Sequence, residues 1–548
     1  MRPSCRLKNT LIALMNGLAK AAKAAHVPHY VVGGGPAGLT AALELAEAGH
    51  AVDVVEAGEL VGGIARTEQY KGYRFDIGGH RFFTKVSEID ALWKRLMGTD
   101  FILVPRLSRI YYGGKYYAYP LKITNTLANL GAVESVRIGL SYVGARIRPI
   151  RSEDTLDQWV TNRFGKRLFE TFFKTYTEKV WGIPCTSIQA DWAAQRIQNL
   201  SLMKAVKTAL FGGNDTTSLI EEFQYPRLGP GMMWERVRDL LRGMGNSVRM
   251  QTRCEAVHHD GAGRVTAVAE RGANGERVER KVASVINTMP LGHLVRALDP
   301  PAPRHVLDAA AQLKYRDFLI VAVIVDQPDP FPDNWIYIHS PEVQVGRIQN
   351  FRSWSPEMVP DANRSCIGLE YFCHAGDGLW TASDEELIEQ ARRELLVLGL
   401  VEPKNVVDGT VIRQPKAYPV YDEQYKAAVD TISAYIEGFD NLYSVGRNGM
   451  HRYNNQDHSM LTAMLAARNL MGESHDVWNV NVERSYHEEF VTSDKAGEGA
   501  DTVDDVVVDV ARQALDGEMP PSPETTTAAQ DVKPPARAEA RERHLEDA

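Results

Sequence analysis

Cysteine is scarce in this chain of 548 residues: only Cys5, Cys185, Cys254, Cys366 and Cys373 occur, an odd number with no C-x-x-C pair. That scarcity argues against a disulfide framework and a cysteine-built zinc site, and fits a reducing, cytoplasmic setting. No charge-free run of about 18 apolar residues is present, so no transmembrane segment is expected. Positive charge is not in excess either. The formal net charge is −8, which argues against a nucleic-acid partner. The acid excess is local, because residues 491–548 hold 14 acidic and 6 basic residues. No internal repeat is visible. The 44 % hydrophobic and 24 % charged residues are ordinary globular usage.

The two ends differ from the middle. Residues 1–28 carry Arg2, Arg6, Lys8, Lys20 and Lys23 and no acid, and read as a basic N-terminal extension. Residues 491–548 hold prolines, a threonine run and few large apolar side chains, and read as a disordered acidic tail.

Between them, apolar Tyr30–Val32 runs into glycines, Thr40–Ala48 has helical spacing, and Val52–Glu56 is a second strand. This is a βαβ unit. Gly33, Gly35 and Gly38, with Pro36 and Ala37 between them, fit G-x-G-x-x-G at the strand-to-helix turn. Such glycines allow a tight turn, a close pyrophosphate and close helix packing, with the helix N-terminus facing the phosphates. Glu56 ends the second strand, where a carboxylate accepts ribose hydroxyls, so FAD or NAD fits better than NADP. Gly62 and Gly63, followed by Arg66 and Thr67, give another close backbone approach. Gly78 and Gly79, before His80, give a third. These loops exceed the needs of one NAD and point to FAD.

Further along, a helix-rich stretch runs from about Ile123 to Ile220 and includes Thr155–Lys179, and Val248–Val257 with Arg264–Glu270 reads as a hairpin. Val282–Thr288, Phe318–Val325, Trp335–His339, Val345–Phe351, Ser365–Phe372 and Leu442–Val445 read as strands, and Met460–Leu470 as a helix. Gly446, Arg447, Asn455, Gln456 and Asp457 again join strand, loop and helix start, a second helix terminus suited to a ligand. Asp457 reads equally well as a plain N-cap. His451 and His458 flank Asp457 without a matching ligand set, so no metal is expected.

These motifs resemble flavoproteins of the amine oxidase and protoporphyrinogen oxidase superfamily, most closely the UDP-galactopyranose mutase-like members. Glu178–Pro184, Asp191-Trp192, Arg196, Tyr225-Pro226 and Ala417–Val420 extend the likeness. The resemblance implies an α/β chain with a discontinuous Rossmann-type FAD-binding domain (29–105, 225–300 and 435–475). A mixed helical and β-sheet substrate region (106–224 and 301–434) would complete it. It implies His80 beside the flavin as the catalytic side chain. It also implies Arg196, Arg347, Arg413, Tyr418 and Tyr453 around a small-molecule substrate, with a nucleotide sugar as one candidate. The activity implied is an FAD-dependent oxidoreductase passing a hydride between substrate and flavin N5. The alternative is a non-redox ring contraction of a UDP-sugar by reduced FAD. A single dinucleotide fingerprint leaves no separate NADPH domain, so NADPH or another electron donor or acceptor would enter the substrate cleft.

Overall fold

Five short strands set the frame, and their apolar runs fit a parallel sheet covered on both faces. Their order is Ser247–Arg249, Val52–Val55, His29–Val32, Ser284–Asn287 and Leu442–Ser444, all parallel. The strand from near the start of the chain thus lies two places from one contributed after residue 440. The computed structural model describes residues 27–119, 123–190, 217–219, 222–480 and 489–491. Most of the basic extension, the stretch with Asp191, Trp192 and Arg196, and the acidic tail beyond Val491 lie outside the described residues.

Helices Pro36–Glu47, Gly231–Gly243 and Gln456–Leu470 cover one face of this sheet through a core containing Leu39, Leu43, Trp234 and Met460. The other face packs on a four-stranded sheet and three helices through Val257, Val268, Leu294, Val306 and Ile432. The expected Val248–Val257 strand is in fact two. Ser247–Arg249 belongs to the parallel sheet, and the chain turns at Gln251, whose φ is +50°, before Arg253–His259 begins. The hairpin itself is Arg253–His259 with Val265–Arg271.

The third layer is a seven-stranded sheet ordered Val406–Pro419, Tyr315–Val325, Ser365–Cys373, Arg347–Asn350, Trp335–Ile338, Ser108–Tyr112 and Lys115–Ala118. In Tyr315–Val325 the period-2 rule is plain. Leu319, Val321 and Val323 enter one core, and Phe318, Ile320, Ala322 and Ile324 enter the opposite one. Thr155–Lys179 is helical as expected, with a break at Gly165, φ +82°, between Leu156–Phe164 and a second helical run that includes a wide π turn over Phe169–Lys174. A capping box of Thr155 and Gln158 starts the first piece. Cys185, Cys254, Cys366 and Cys373 are all free and buried. Among the described residues no helix is long and apolar enough to cross a membrane.

Candidate functional site

A cavity of about 1260 Å³ runs from the carboxyl ends of the parallel strands to the inner face of the seven-stranded sheet. That is longer and larger than most small-ligand pockets need. Gly33, Gly35, Pro36, Ala37, Glu56, Gly63 and Arg66 line one end, and Gly446, Arg447, Asn455, Gln456 and Asp457 line another part of its wall. Gly446 adopts φ +83°, and a Cβ there would press within 2.9 Å of the Ala37 side chain. The two glycine-bearing segments, about 400 residues apart in sequence, therefore touch.

Two long helices that begin at the cavity start without a side-chain cap. Gly35 caps Pro36–Glu47 and Asn455 caps Gln456–Leu470, and neither helix has a side-chain hydrogen bond at its cap. The first N–H groups of a helix have no partner inside it, and the dipole there is positive. Two such ends on one cavity suit an anionic ligand. Asp457 is not the N-cap expected as one reading. It sits inside the first turn, 1 % exposed, because Asn455 takes the cap position. The Glu56 carboxylate accepts the N–H of Gly34 and the N–H of Gly58, each at 2.7 Å. This fixes the side chain at the mouth of the first βα turn.

Gly38, Gly62 and Thr67 do not line the cavity; they build its wall from behind. A Cβ at Gly38 would collide with the Gly33 carbonyl oxygen, so glycine is required for the helix to approach the turn. The Gly62 N–H donates to the Gly34 carbonyl at 2.8 Å, tying the second glycine loop to the first. The Thr67 hydroxyl donates to Asp76 at 2.9 Å and accepts from the Gly231 N–H at 3.0 Å. Asp76 also accepts from Tyr225, and burial pushes its carboxyl up to about 7.

Gly78, Gly79 and His80 lie on the cavity wall nearer the seven-stranded sheet. His80 Nδ1 is 2.9 Å from the Gly78 carbonyl, which can only accept, so Nδ1 carries the proton. Burial, and then Arg447 and Arg347, push this imidazole down to about 4. It is neutral at ordinary pH, with Nε2 left as an acceptor.

The chamber beyond is built by strand register. Arg347 and Glu370 are cross-strand partners, and their side chains pair at 2.6 Å with Glu370 fully buried. Gln349 donates to the other Glu370 oxygen at 2.5 Å, and Arg347 donates to the Tyr418 hydroxyl at 2.8 Å. Burial raises the Glu370 carboxyl and the Arg347 charge opposes that rise. Tyr418 stacks on Tyr453 with ring centres 5.9 Å apart, and the Arg447 guanidinium lies over both rings, at 4.8 and 4.1 Å. Arg413 reaches the cavity lining but is committed elsewhere. It binds Asp384 at 2.7 Å and the carbonyls of Trp380 and Ala382. Arg66 is likewise held, by Glu68, the Gly63 carbonyl and Gln414. Sequence reasoning missed Glu370 and Gln349. Their only signal was polarity inside an apolar strand.

The model of the flavin-containing amine oxidoreductase family matches residues 36–413. The chain belongs to that family. It is an enzyme of the oxidoreductase type, and FAD is its cofactor. The uncapped helix ends, the Glu56 cradle and the length of the cavity fit that group. Coproporphyrinogen III oxidase of Mycobacterium leprae is 24 % identical over 442 residues, covering 74 % of this chain and 90 % of the relative. An L-amino acid oxidase of Crotalus durissus cumanensis is 47 % identical over 70 residues, 13 % of this chain and 14 % of the relative. Among solved structures, reduced UDP-galactopyranose mutase superposes with a TM-score of 0.71 at 21 % identity, covering 83 % of this chain and 97 % of that one. Putrescine oxidase bound to putrescine gives 0.55 at 16 % identity, with 82 % and 99 % covered. These structures share the fold, and the Rossmann-type α/β reading and the family resemblance hold.

Proposed function

We propose that this flavoenzyme oxidises a small molecule held in the chamber of Arg347, Glu370, Tyr418 and Tyr453. The observation that carries the reading is a single cavity joining the uncapped dinucleotide turn to that chamber. FAD, when bound, takes up two electrons with a hydride at N5 and passes them on to an acceptor. Gly33, Gly35, Ala37 and Glu56 would hold its phosphates and ribose, and the Asn455–Asp457 turn its ring end. His80, neutral above about pH 4, offers Nε2 as a hydrogen-bond acceptor to the substrate or ring. Tyr418, Tyr453 and Arg447 form a flat wall that excludes water and orients a planar or apolar group. Glu370 balances Arg347, whereas Arg447, among the described residues, binds only the carbonyls of Ala417 and Asn454 and keeps its charge at the wall.

The test is purification with a visible spectrum, then anaerobic reduction by candidate amines, amino acids and porphyrinogens. Bleaching of the flavin band, and acceptor consumed in proportion to product, support the reading. A colourless protein that stays colourless with added FAD overturns it.

A second reading is a sugar mutase with no net redox change. It is favoured by the TM-score with UDP-galactopyranose mutase and by Arg347, Tyr418 and Tyr453 lining one chamber. Enzyme reduced beforehand and given a UDP-sugar separates the two, since a mutase converts it without consuming an acceptor.

A further inference from the structure

Helix Ala132–Ile147 packs through Ile138 and Tyr142, and its opposite side is apolar and bare. Val133, Val136, Leu140, Val143 and Ile147 are 69, 61, 68, 50 and 72 % exposed, and Ile150 just beyond the helix is 40 % exposed. Six of the exposed large apolar residues of the described chain thus fall within 18 positions. Their spacing alternates three and four, which is the seam that packs against another helix. A helix lying on a bilayer usually presents a broader face with aromatic residues, and none of these six is aromatic. Gly139 and Gly144 sit within the same helix, and a Cβ on either would meet nothing within 4 Å. Glycine weakens a helix interior, and no described residue packs close enough to require it here. An incoming backbone would.

We propose that this face is the twofold interface between two copies of the chain, with the two helices antiparallel and Leu140 near the axis. Two observations select this occupant. Glu134 in the first turn is already held within the chain by Arg167 and Arg137, so the pairing rests on shape and area, with opposed helix dipoles favouring the antiparallel arrangement. The first is shape. Centred on Leu140, Val133 meets Ile147 of the other copy and Val136 meets Gly144, a knob against a gap. The second is area. At roughly 100 Å² apiece the six apolar residues supply about 600 Å² per copy, so a pair reaches the ~1,200 Å² at which specific interfaces begin. The patch is self-complementary, as an isologous interface must be.

The full-length, FAD-loaded protein is examined by light scattering over about 1–50 µM. The expected result is a dimer in the wild type and a monomer in Leu140→Glu, with an unchanged flavin spectrum in both. Orientation is read by oxidation of single-cysteine variants. Leu140→Cys should link to itself, while Val133→Cys and Ile147→Cys should link far better when mixed than alone. A monomeric wild type, a Leu140→Glu variant that stays dimeric, or a dimer in which Leu140→Cys does not cross-link overturns the proposal. Should Leu140→Glu lose its flavin, Val136→Lys on the same stripe replaces it and carries the same two outcomes. A monomeric wild type that sediments with vesicles of anionic phospholipid also overturns it, in favour of a membrane surface.

Discussion

Removing the charge of Glu370 would leave Arg347 charged in a wall where the two side chains are 0 and 19 % exposed. Breaking one partner of a buried pair costs about 3–5 kcal/mol, because the other charge stays behind without compensation. Glu370→Gln keeps the shape and removes only the charge. It is expected to lower stability in urea by an amount of that order. The same change should tighten binding of UDP or pyrophosphate to the folded enzyme, since Arg347 would then carry a spare positive charge. Unchanged anion affinity would show that Arg347 does not face the ligand. Gly38 offers the sharper steric test. Its missing Cβ is what lets the Pro36 helix close on the Gly33 carbonyl, so Gly38→Ala should yield folded protein that purifies without flavin colour.

The turn that opens Gln456–Leu470 separates two roles that one residue type can play. Asparagine at an N-cap usually donates stability through its side chain, and its loss costs about 1 kcal/mol. Asn455 makes no such capping bond and instead lines the cavity. Asn455→Ala should therefore change the unfolding free energy of FAD-free protein by less than about 0.5 kcal/mol, while weakening FAD binding roughly tenfold, read by flavin fluorescence on titration. A loss of about 1 kcal/mol with unchanged flavin affinity would assign the residue to the helix alone. Elements whose signal is local were legible beforehand. The Tyr30 strand, the glycine turn and the following helix each show in a handful of consecutive residues. Four strands of the seven-stranded sheet were also legible, because apolar runs such as Phe318–Val325 admit few other readings, whereas Ser108–Tyr112, Lys115–Ala118 and Val406–Pro419 went unread. What stayed hidden depended on partners distant in sequence. The Glu370 role follows from its register against Arg347. The commitment of Arg413 follows from Asp384 on a helix it meets only in the fold. The breaks at Gln251 and Gly165 are single-residue changes of φ that periodicity averages over.

At the scale of the whole molecule, five histidines set the response to acid. Burial holds His29, His80, His293 and His451 down to about 4 and His339 down to about 3. In the unfolded chain each takes up its proton near pH 6.5. Below that value the unfolded state binds more protons than the native state, so stability is complete above about 6.5 and falls as the pH drops toward 4. Asp76 acts in the opposite sense. Its carboxyl, raised to about 7 by burial, binds a proton in the native state first, so its contribution grows as the pH falls from 7 toward 4. The His80 and His451 shifts are worth roughly 3 kcal/mol each, the His339 shift roughly 5 kcal/mol and the Asp76 shift roughly 4 kcal/mol, so the histidines prevail and the protein should lose stability steadily between pH 6.5 and 4. His339 supplies the largest part, stacked on Tyr176 with ring centres 4.7 Å apart. His339→Gln removes one titrating group, so the slope of unfolding free energy against pH over that range should decrease by about 1.4 kcal/mol per pH unit, whatever happens to absolute stability. Urea unfolding followed by circular dichroism at several pH values, with FAD saturating throughout so that its own stabilisation is constant, gives that slope. An unaltered slope in His339→Gln would mean that His339 is already protonated in the native protein, and that water reaches the ring through a wall that is closed in this structure.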